Sequence, residues 1–532
     1  REWRKGEGMA TTTTRTQPTT ILPLDTQSPH YKWLVAGVIL LASGTQTFGG
    51  GSSVNIIMPR LMATFGADLA ATQWVVTGFF LTRVMVTPLL GWLGGILGYR
   101  NMFVAIMVGI AVSSIGCGLA TSLPMLVGFR LVQGLIMGSM EGLTAMILVG
   151  VFPEHQRGLA LGLRAVGWSA GEAIFYTVGG YLVEQFSWRM IFFLAVPSGI
   201  VCALLGLLVL PQRRESRGEP VDYPGLLALA GFLVPLLLAI SWSRDSQTET
   251  TTLLWLGMGA LVGGALFLLR ELLTSFPVVN LRLFQQSSFR LICATAFFNH
   301  MGLHGALFMV PIFLQQVLGL SPLQAGLVIV PALLISGATG VMTGRLSDLA
   351  PPPLVVIATL LALSVIFYSF SSVSALTAIA VIVGYIILYR ICMIGTVTPM
   401  TVLTVQVLEA DQVRMGQGLG GVVRSIGGLL GITITSVLFE RRRASYQLLA
   451  YQTYDSAALA HGDTLRDLQR LLHHAGIMGP AADRAALGAI RREMDIEAVA
   501  VGFQSSFFLS CVCFLLASLP MLYLFLSQRW KR

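Results

Sequence analysis

The stretches LPMLVGFRLVQGLIMGSMEGLTAMILVG (residues 123–150) and RGLALGLRAVGWSAGEAIFYTVGGY (residues 157–181) decide how this chain folds. Each is long enough to cross a bilayer as one helix, because a transmembrane helix needs about 20 mostly apolar residues. Four ionisable residues nevertheless lie inside them: Arg130, Glu141, Arg164 and Glu172. A charge at bilayer depth costs about 2.5–3.5 kcal/mol on insertion scales, so it normally faces a partner or a wet cavity. The two stretches therefore predict a membrane hairpin whose charges line a central pathway.

The rest of the chain has the same membrane character. Of its 532 residues, 55% are hydrophobic and only 11% are charged, which is typical of an integral membrane protein. The net charge of +9 is spread over short loops, so it bears on topology and lipid headgroups and does not indicate a nucleic-acid partner. We predict an all-α protein with fourteen transmembrane helices, near residues 33–58, 72–93, 101–120, 124–149, 158–182, 189–210, 224–241, 252–269, 290–315, 321–343, 353–372, 374–400, 414–438 and 500–526.

The distribution of arginine and lysine predicts the orientation of these helices. If the N-terminus is cytoplasmic, the loops on the same side carry most of the basic residues, among them Arg213, Arg214 and Arg217, as the positive-inside rule requires. We therefore expect both termini in the cytoplasm. The polar segment 440–497 then lies on the opposite side, although Arg441–Arg443 open it, because loops of this length follow the rule poorly.

Several motifs stand in the order found in one transporter family. They are Arg130-Leu-Val-Gln133-Gly134, Trp188–Phe193 followed by Val196-Pro197, Asp222-Tyr-Pro-Gly225, Pro311–Gln315 followed by Gly319 and Gln324–Gly326, and Arg424-Ser-Ile-Gly427-Gly428 with Gly431. Together they resemble the fourteen-helix drug:proton antiporter branch of the major facilitator superfamily, the EmrB/QacA type. The resemblance implies proton-coupled export of a hydrophobic or amphipathic compound across the bacterial inner membrane, by alternating access of two lobes.

The same resemblance implies a division of the chain. We expect a disordered tail (1–30), a six-helix lobe (31–210), a cytoplasmic linker (211–223), two extra helices (224–270), a second six-helix lobe (271–526) and a short tail (527–532). Within the periplasmic loop 440–497, Leu465, Leu468, Leu471 and Leu472 recur at helical spacing and predict amphipathic helices. These helices either cap this protein or dock a periplasmic adaptor, as in EmrB-type systems.

Some positions depart from the family pattern. Gly50 stands where these antiporters carry an aspartate five residues before Asn55, and Phe175 and Tyr176 replace a Gly-Pro pair before Gly179-Gly180. The loop after helix two, which includes Gly91, Gly98 and Arg100, lacks the usual aspartate, whereas the second half of the chain has Gly344, Arg345 and Asp348. We interpret these six residues as conformational loops. The departures make a facilitator or uptake symporter of the same fold an alternative.

Glu172 and Glu141 are the first candidates for proton coupling, because making or breaking an arginine pair changes the proton affinity of a carboxylate. Since the two helices run antiparallel, pairs between Arg164 and Glu141 and between Arg130 and Glu172 are geometrically open. A static ion pair that holds the helices together is the alternative reading. Arg83 and Arg390 are further charge partners at membrane depth, and Arg424 is interpreted as snorkelling to the inner interface.

His300 and His304 lie one turn apart in helix nine and are the second candidates for titration. Ordinary helix–helix hydrogen bonding explains them equally well, and without a third ligand nearby we predict no metal site. Polar and aromatic residues of the central helices are predicted to contact substrate: Asn55, Gln46, Gln133, Trp168, Tyr176, Asn299 and Phe298. We expect no cofactor.

Other functions remain open at this stage. The chain has no Gly-x-x-x-x-Gly-Lys-Ser/Thr phosphate loop, which argues against an ATP-driven pump, and no nucleophile constellation suggests an enzyme. The rivals are an exporter or flippase of lipids or lipid-like metabolites, which would use membrane lipid as substrate, and a membrane sensor or assembly factor that transports nothing.

Overall fold

The computed structural model describes residue 28 and residues 30–50, 53–153, 156–212, 222–243, 249–274, 281–349, 351–374, 376–408, 412–457, 470–471, 474 and 480–529. Their helices, in chain order, are α1 (Tyr31–Gly49, Ser53–Ile57 and Met58–Phe65), α2 (Leu69–Thr72, Trp74–Val86, Thr87–Leu89 and Leu90–Leu97), α3 (Tyr99–Gly118), α4 (Leu123–Met137 and Met140–Val151), α5 (Arg157–Ile174, Phe175–Gly179 and Gly180–Gln185), α6 (Met190–Phe193 and Ala195–Val209), α7 (Tyr223–Trp242), α8 (Thr250–Leu273), α9 (Ser287–Gln316, after a turn at Leu281–Gln285), α10 (Pro322–Leu349), α11 (Pro352–Phe370), α12 (Ile379–Val407), α13 (Val413–Ala457) and α14 (Pro480–Arg529).

Twelve of the described helical segments are long and apolar enough to cross a membrane. The remaining two, α5 and α10, contact each other where the two halves of the molecule meet, at Gly180 against Leu323 and at Gly326 against Tyr176. α5 carries Arg164 and Glu172 within its length, so its low hydropathy follows from its central position. The fold class is therefore an all-helical membrane protein, and fourteen crossings are compatible with the structure.

Helices α1–α6 and α9–α14 form two bundles that repeat the same packing. In the first, α5 lies so close to α1 that a Cβ on Gly167 would be 2.5 Å from the carbonyl oxygen of Leu40. In the second, α13 approaches α9 in the same way, and a Cβ on Gly427 would be 2.4 Å from the carbonyl oxygen of Phe297. Such close backbone contact is typical of small residues in membrane helices. The two bundles are thus related as an internal repeat.

Helices α7 and α8 are inserted between the two bundles in sequence. α7 packs its leucines, Leu229, Leu233 and Leu237, into a core that it shares with α2 and α13. Most of α8 lies outside this core, and only 11% of its most apolar stretch is buried. Arg270 Nε binds both carboxylate oxygens of Asp222, at 2.9 and 3.1 Å, and so ties the end of α8 to the start of α7. α7 therefore covers the seam between α2 and α13.

The predicted periplasmic loop 440–497 is largely a continuation of two membrane helices. α13 runs on to Ala457 and α14 begins at Pro480, and the two extensions pair through Gln447 and Asp495 at 3.0 Å. Most of the leucine-rich part of the loop, including Leu465, Leu468 and Leu472, lies outside the described residues, as do most of the predicted tail 1–30 and most of the linker 211–223.

Candidate functional site

A cavity of about 1000 Å³ lies between the two bundles. Its wall is mainly apolar and includes Ala145, Met146, Ile147 and Val149 of α4, Phe289, Ile292, Cys293 and Ala296 of α9, and Val397 and Met400 of α12. One carboxylate, two guanidinium groups and one imidazole also line it, those of Glu141, Arg164, Arg424 and His300. The cavity occupies the half of the molecule that contains the α4–α5 and α12–α13 connections, which is the half that the sequence predicts to be cytoplasmic.

Glu141 forms a salt bridge with Arg83, and Gly138 allows the two helices to come close enough for it. A Cβ on Gly138 would lie 2.7 Å from the carbonyl oxygen of Arg83, so only glycine lets α4 come this close to α2. Arg83 Nη2 then donates to Glu141 Oε2 at 2.5 Å. The predicted pair between Arg164 and this carboxylate is not formed, because Arg164 Nη1 donates to the backbone carbonyl of Glu141, at 3.4 Å.

The two arginines of the cavity wall are poorly satisfied. Arg164 Nε is buried without a hydrogen-bond partner. Arg424 forms no hydrogen bond or salt bridge with any residue that the structure describes, although Glu141 is within electrostatic range of both arginines. The expectation that Arg424 snorkels to the interface is wrong, because its position on α13 turns it into the cavity.

The two histidines of α9 stack on each other, with ring centroids 5.7 Å apart. His300 Nδ1 is 3.0 Å from the backbone carbonyl oxygen of Ala296, and His304 Nδ1 is 3.1 Å from that of His300. Each carbonyl belongs to the preceding turn of the helix. His300 reaches the cavity, whereas His304 packs edge-on against Phe80 of α2. Within the described residues, no three His, Cys, Asp or Glu side chains come together that could hold a metal ion.

A second ionic site joins the two bundles directly. Arg390 of α12 binds Glu172 of α5 through both guanidinium ends, Nη2 to Oε1 at 3.0 Å and Nη1 to Oε2 at 3.2 Å. The side chains are only 5% and 3% exposed, and Arg390 Nε has no partner among the described atoms. Among the described residues, Tyr176 and Tyr389 are further titratable groups within electrostatic range. Glu172 therefore pairs with Arg390 of the other bundle. The pair between Glu172 and Arg130, which the sequence left open, is not formed.

Arg130 has a different place from the one predicted for it, because it is fully buried inside the first bundle and does not line the cavity. α1 is interrupted after Gly49, and Arg130 donates to the carbonyl oxygens of Gly49 at 2.7 Å and Gly50 at 3.3 Å. It also donates to Val75 O at 2.8 Å and Gln133 Oε1 at 2.6 Å. A cation at the C-terminal end of a helix is favourable, so Arg130 stabilises the break in α1.

The described wall of the cavity includes none of the seven residues predicted to contact substrate: Asn55, Gln46, Gln133, Trp168, Tyr176, Asn299 and Phe298. Gln133 is occupied by Arg130 and by Ser114, at 2.9 Å. Asn55 Nδ2 donates to Leu307 O at 3.1 Å and so belongs to the contact between bundles. The polar groups of Gln133 and Asn55 are therefore used in packing between helices, which sequence periodicity cannot distinguish from a wet wall.

The half of the molecule opposite the cavity is closed by contacts between the bundles. The hydrogen bonds across it include Leu69 N to Glu440 Oε1 at 3.2 Å, Ser436 Oγ to Gln73 Oε1, Gln315 Nε2 to Ile56 O at 2.8 Å and Ser321 Oγ to Glu184 Oε2 at 2.8 Å. Close backbone packing adds to them, since a Cβ on Gly180 would lie 2.9 Å from Leu323 Cα. The cavity is therefore bounded on one side by a continuous seal.

Among the predicted conformational loops, the one between α2 and α3 is described best. Gly98 forms its turn with φ of 73°, a conformation that favours glycine. Arg100 follows it in the first turn of α3 and is half-buried. Gly91 lies near the end of α2, and Gly344, Arg345 and Asp348 lie in the last turns of α10, where only the backbone is described.

Residues 39–432 match the family model of the Major Facilitator Superfamily. This chain belongs to that superfamily. A relative, the "Fatty acid resistance protein FarB" of Neisseria gonorrhoeae, is 26% identical over 87% of this chain and 90% of its own. The "Multidrug export protein EmrB" of Escherichia coli is 26% identical over 74% and 77%. The fold matches a bacterial homologue of the human lysosomal transporter Spinster in an inward-facing, occupied conformation, with a TM-score of 0.61 and 15% identity over 94% of this chain and 98% of that one.

The repeat of the two bundles accounts for the position of Arg424, which the sequence predicts at the inner interface. Arg424-Ser-Ile-Gly427 in α13 has the spacing of Arg164-Ala-Val-Gly167 in α5, and Gly431 corresponds to Gly171. A search for the internal repeat would have assigned Arg424 to the same wall as Arg164. Considered alone, an arginine near the end of a membrane helix is indistinguishable from one that snorkels.

Proposed function

We propose that this chain is a proton-coupled exporter that moves hydrophobic or amphipathic compounds out of the cytoplasm across the bacterial inner membrane. The cavity between the bundles would receive the compound in an inward-facing state, and the seal on the opposite side would open as the bundles rock about the centre. The apolar wall suits such cargo, since small-molecule sites combine mainly apolar linings with a few polar groups. The names of the two relatives, which refer to fatty acid resistance and multidrug export, agree with it.

The observation that carries the proposal is the buried ion pair between Glu172 and Arg390, because it spans the two bundles. While both groups are charged, the pair holds α5 against α12. A proton on Glu172 would remove the carboxylate charge and leave Arg390 without its counter-ion, so the closed arrangement would lose its main electrostatic contact. Proton binding and opening of the seal are thereby linked in one step.

Glu141 is a weaker candidate for the same role. Its partner Arg83 belongs to α2 of the same bundle, so breaking this pair would not by itself separate the bundles. Its side chain is 56% exposed and lines the cavity. We therefore assign proton coupling to Glu172 and treat Glu141 and His300 as polar groups of the wall. His304, which packs against Phe80, belongs to the contact between α9 and α2.

The paired extensions of α13 and α14 support the proposal of a periplasmic adaptor as a partner. They project from the sealed end beyond residue 440, and Tyr446 Oη binds Glu497 Oε2 at 3.0 Å to hold them together. In the predicted orientation this surface is periplasmic, where a periplasmic adaptor would reach it. A membrane lipid as cargo remains the alternative substrate, favoured by the amphipathic wall.

The test is transport in proteoliposomes with an imposed pH gradient, using a dansyl-labelled long-chain acid, its amide and the corresponding alkyl amine as probes. Wild type is expected to accumulate at least one probe against its gradient. Glu172→Gln should abolish uphill accumulation yet retain probe counterflow, because the cavity is intact but the proton-dependent pair is gone. Glu493→Gln, an exposed carboxyl on the extension of α14, is the matched control and should behave as wild type.

A double variant distinguishes the effect of Glu172→Gln on stability from its effect on proton coupling. Glu172→Gln alone leaves a buried arginine unpaired, which costs about 3–5 kcal/mol, whereas Glu172→Gln with Arg390→Gln removes both charges and should recover most of that loss without recovering uphill transport. Undiminished uphill transport in Glu172→Gln would disprove the assignment. Probe movement that ignores the pH gradient in wild type would favour the facilitator, and no movement at all would favour the sensor.

A further inference from the structure

The wall of the cavity carries more positive than negative charge, and the excess is concentrated on two residues. Its only described carboxylate, Glu141, is already paired with Arg83 from behind the wall. Arg164 and Arg424 remain, and neither forms a salt bridge with a described residue: Arg164 reaches only a backbone carbonyl oxygen at 3.4 Å. The inner surface of the cavity is therefore electropositive.

These two arginines occupy equivalent positions in the two bundles. Gly167 and Gly171 follow Arg164 and pack on Leu40 and Gly44 of α1. Gly427 and Gly431 follow Arg424 and pack on Phe297 and Met301 of α9, with the same spacing. Because the packing fixes both helices in the same way, one guanidinium group enters the cavity from each bundle.

Leaving such groups unpaired is unfavourable. A buried charge without a counter-ion is unfavourable because it is desolvated and not compensated, and Arg164 Nε is already a buried donor with no acceptor. Water in an open cavity reduces this cost, and an anion that replaces the water supplies the missing counter-ion. The guanidinium fork matches the geometry of carboxylate and phosphate oxygens. The site is consequently preorganised for an anionic headgroup.

We infer that Arg164 and Arg424 form the headgroup site of this cavity and that its occupant is an amphipathic anion, a carboxylate or phosphate attached to an apolar chain. The chain would lie on the apolar surface formed by Met146, Ile292 and Met400, and the headgroup would bridge the two bundles. That the bound anion is transported rests on the proposed function, but the binding site itself does not depend on proton coupling.

Two sources supply this chemistry, a free amphiphile such as a fatty acid and an anionic phospholipid of the surrounding membrane. Both would use the same arginines. Reconstitution in nanodiscs of phosphatidylcholine, with and without phosphatidylglycerol, distinguishes them, because a phospholipid occupant would displace the probe. If the occupant is a free amphiphile, the affinity for the probe is the same in nanodiscs with and without phosphatidylglycerol.

The test is binding of the dansyl-labelled acid, its amide and the corresponding amine to the full chain in nanodiscs, measured as fluorescence above that of empty nanodiscs. The acid should bind about tenfold or more tightly than the amide, because a charge-assisted hydrogen bond contributes about 1.5–3 kcal/mol. Arg164→Gln and Arg424→Gln should each lower the affinity for the acid about tenfold and leave that for the amide unchanged. Arg164→Lys and Arg424→Lys should retain part of the preference.

Arg60→Gln is the matched control, since Arg60 is exposed at the opposite end of the molecule, and it should not change any affinity. The wild-type preference for acid over amide requires no variant, so it tests the inference even if one arginine variant fails to fold. Equal binding of the three probes, tightest binding of the amine, or a loss common to all three probes in the glutamine variants would overturn the inference.

The same probes separate this inference from the proposed function. Selective acid binding without proton-driven accumulation would support the anion site and refute the coupled exporter. Uphill movement of amide or amine by a protein that binds the acid no better would refute the anion site and support the exporter.

Discussion

Arg130 illustrates at the scale of single residues how surroundings change the role of an arginine. Its guanidinium group is fully buried, lies 4.4 Å from the centroid of the Phe79 ring and satisfies four acceptors. Arg390 has one carboxylate partner in the other bundle, whereas Arg424 has none among the described residues. The first stabilises one lobe, the second joins two lobes and the third faces the cavity.

Replacing Arg130 by lysine tests its structural role. A lysine cannot reproduce the planar fork that reaches two carbonyls of α1 and one of α2, so some buried acceptors would be left without donors. We expect Arg130→Lys to lower the free energy of unfolding by about 1–3 kcal/mol, measured as thermal unfolding of the purified protein. Arg60→Lys, on an exposed position, should not change it. Unaltered stability of Arg130→Lys would show that the carbonyls find other donors.

At the scale of elements, α5 combines tight packing with local irregularity. Glu172 lies next to Gly171, which contacts α1, and the segment Phe175–Gly179 forms a wide π-helical turn. Such turns inside α-helices occur frequently at functional sites. Phe175 and Tyr176, the residues that stand where relatives of the EmrB/QacA type carry Gly-Pro, begin this turn. α5 is therefore irregular here without a Gly-Pro pair.

The close packing of α5 on α1 at glycines can also be tested by substitution. A Cβ on Gly171 would lie 2.3 Å from Gly44 Cα, whereas a Cβ on Gly162 of the same helix would meet nothing within 4 Å. Gly171→Ala should therefore destabilise the first bundle by about 1–3 kcal/mol through overpacking, as thermal unfolding would show. Gly162→Ala is the control and should be neutral or slightly stabilising. Equal stability of the two variants would mean that α1 and α5 separate without cost.

At the scale of the whole molecule, the bundles meet tightly on one side of the centre and enclose the cavity on the other. Two of the contacts that close the sealed side come from α5 with α10, at Gly180 and at Glu184 with Ser321. Others come from α2 with α13 and from α1 with α9. Transport by alternating access requires all of them to break together.

Linking the seal covalently should therefore stop transport without emptying the cavity. In a background that lacks the six native cysteines, Glu184→Cys with Ser321→Cys replaces a pair whose polar atoms are 2.8 Å apart. A short reducible thiol cross-linker should join the two positions and abolish uphill transport, while dansyl-acid binding in nanodiscs persists. Reduction should restore transport, and each single variant is a control. Continued transport by the cross-linked protein would mean that the seal does not have to open there.

The sequence by itself determined the membrane class, the helical architecture and the family, because these depend on segment length, composition and the order of motifs along the chain. It also predicted that the charged residues of the central helices are sheltered, since an ionised group inside a long apolar segment has to be sheltered wherever the segment lies. Glu141 and Arg164 in the cavity wall were identified from this argument alone.

Only the tertiary structure decided which charges meet. Glu172 and Arg390 are 218 positions apart in the chain. Nothing in the sequence around Glu172 shows that it pairs with Arg390 and not with Arg130. The same holds for the seven polar and aromatic residues expected at the substrate, because burial against a neighbouring helix and exposure to a cavity produce the same one-dimensional pattern. Contact between helices that are distant in sequence is set by packing of backbones at glycines such as Gly138 and Gly171, and that packing exists only in three dimensions.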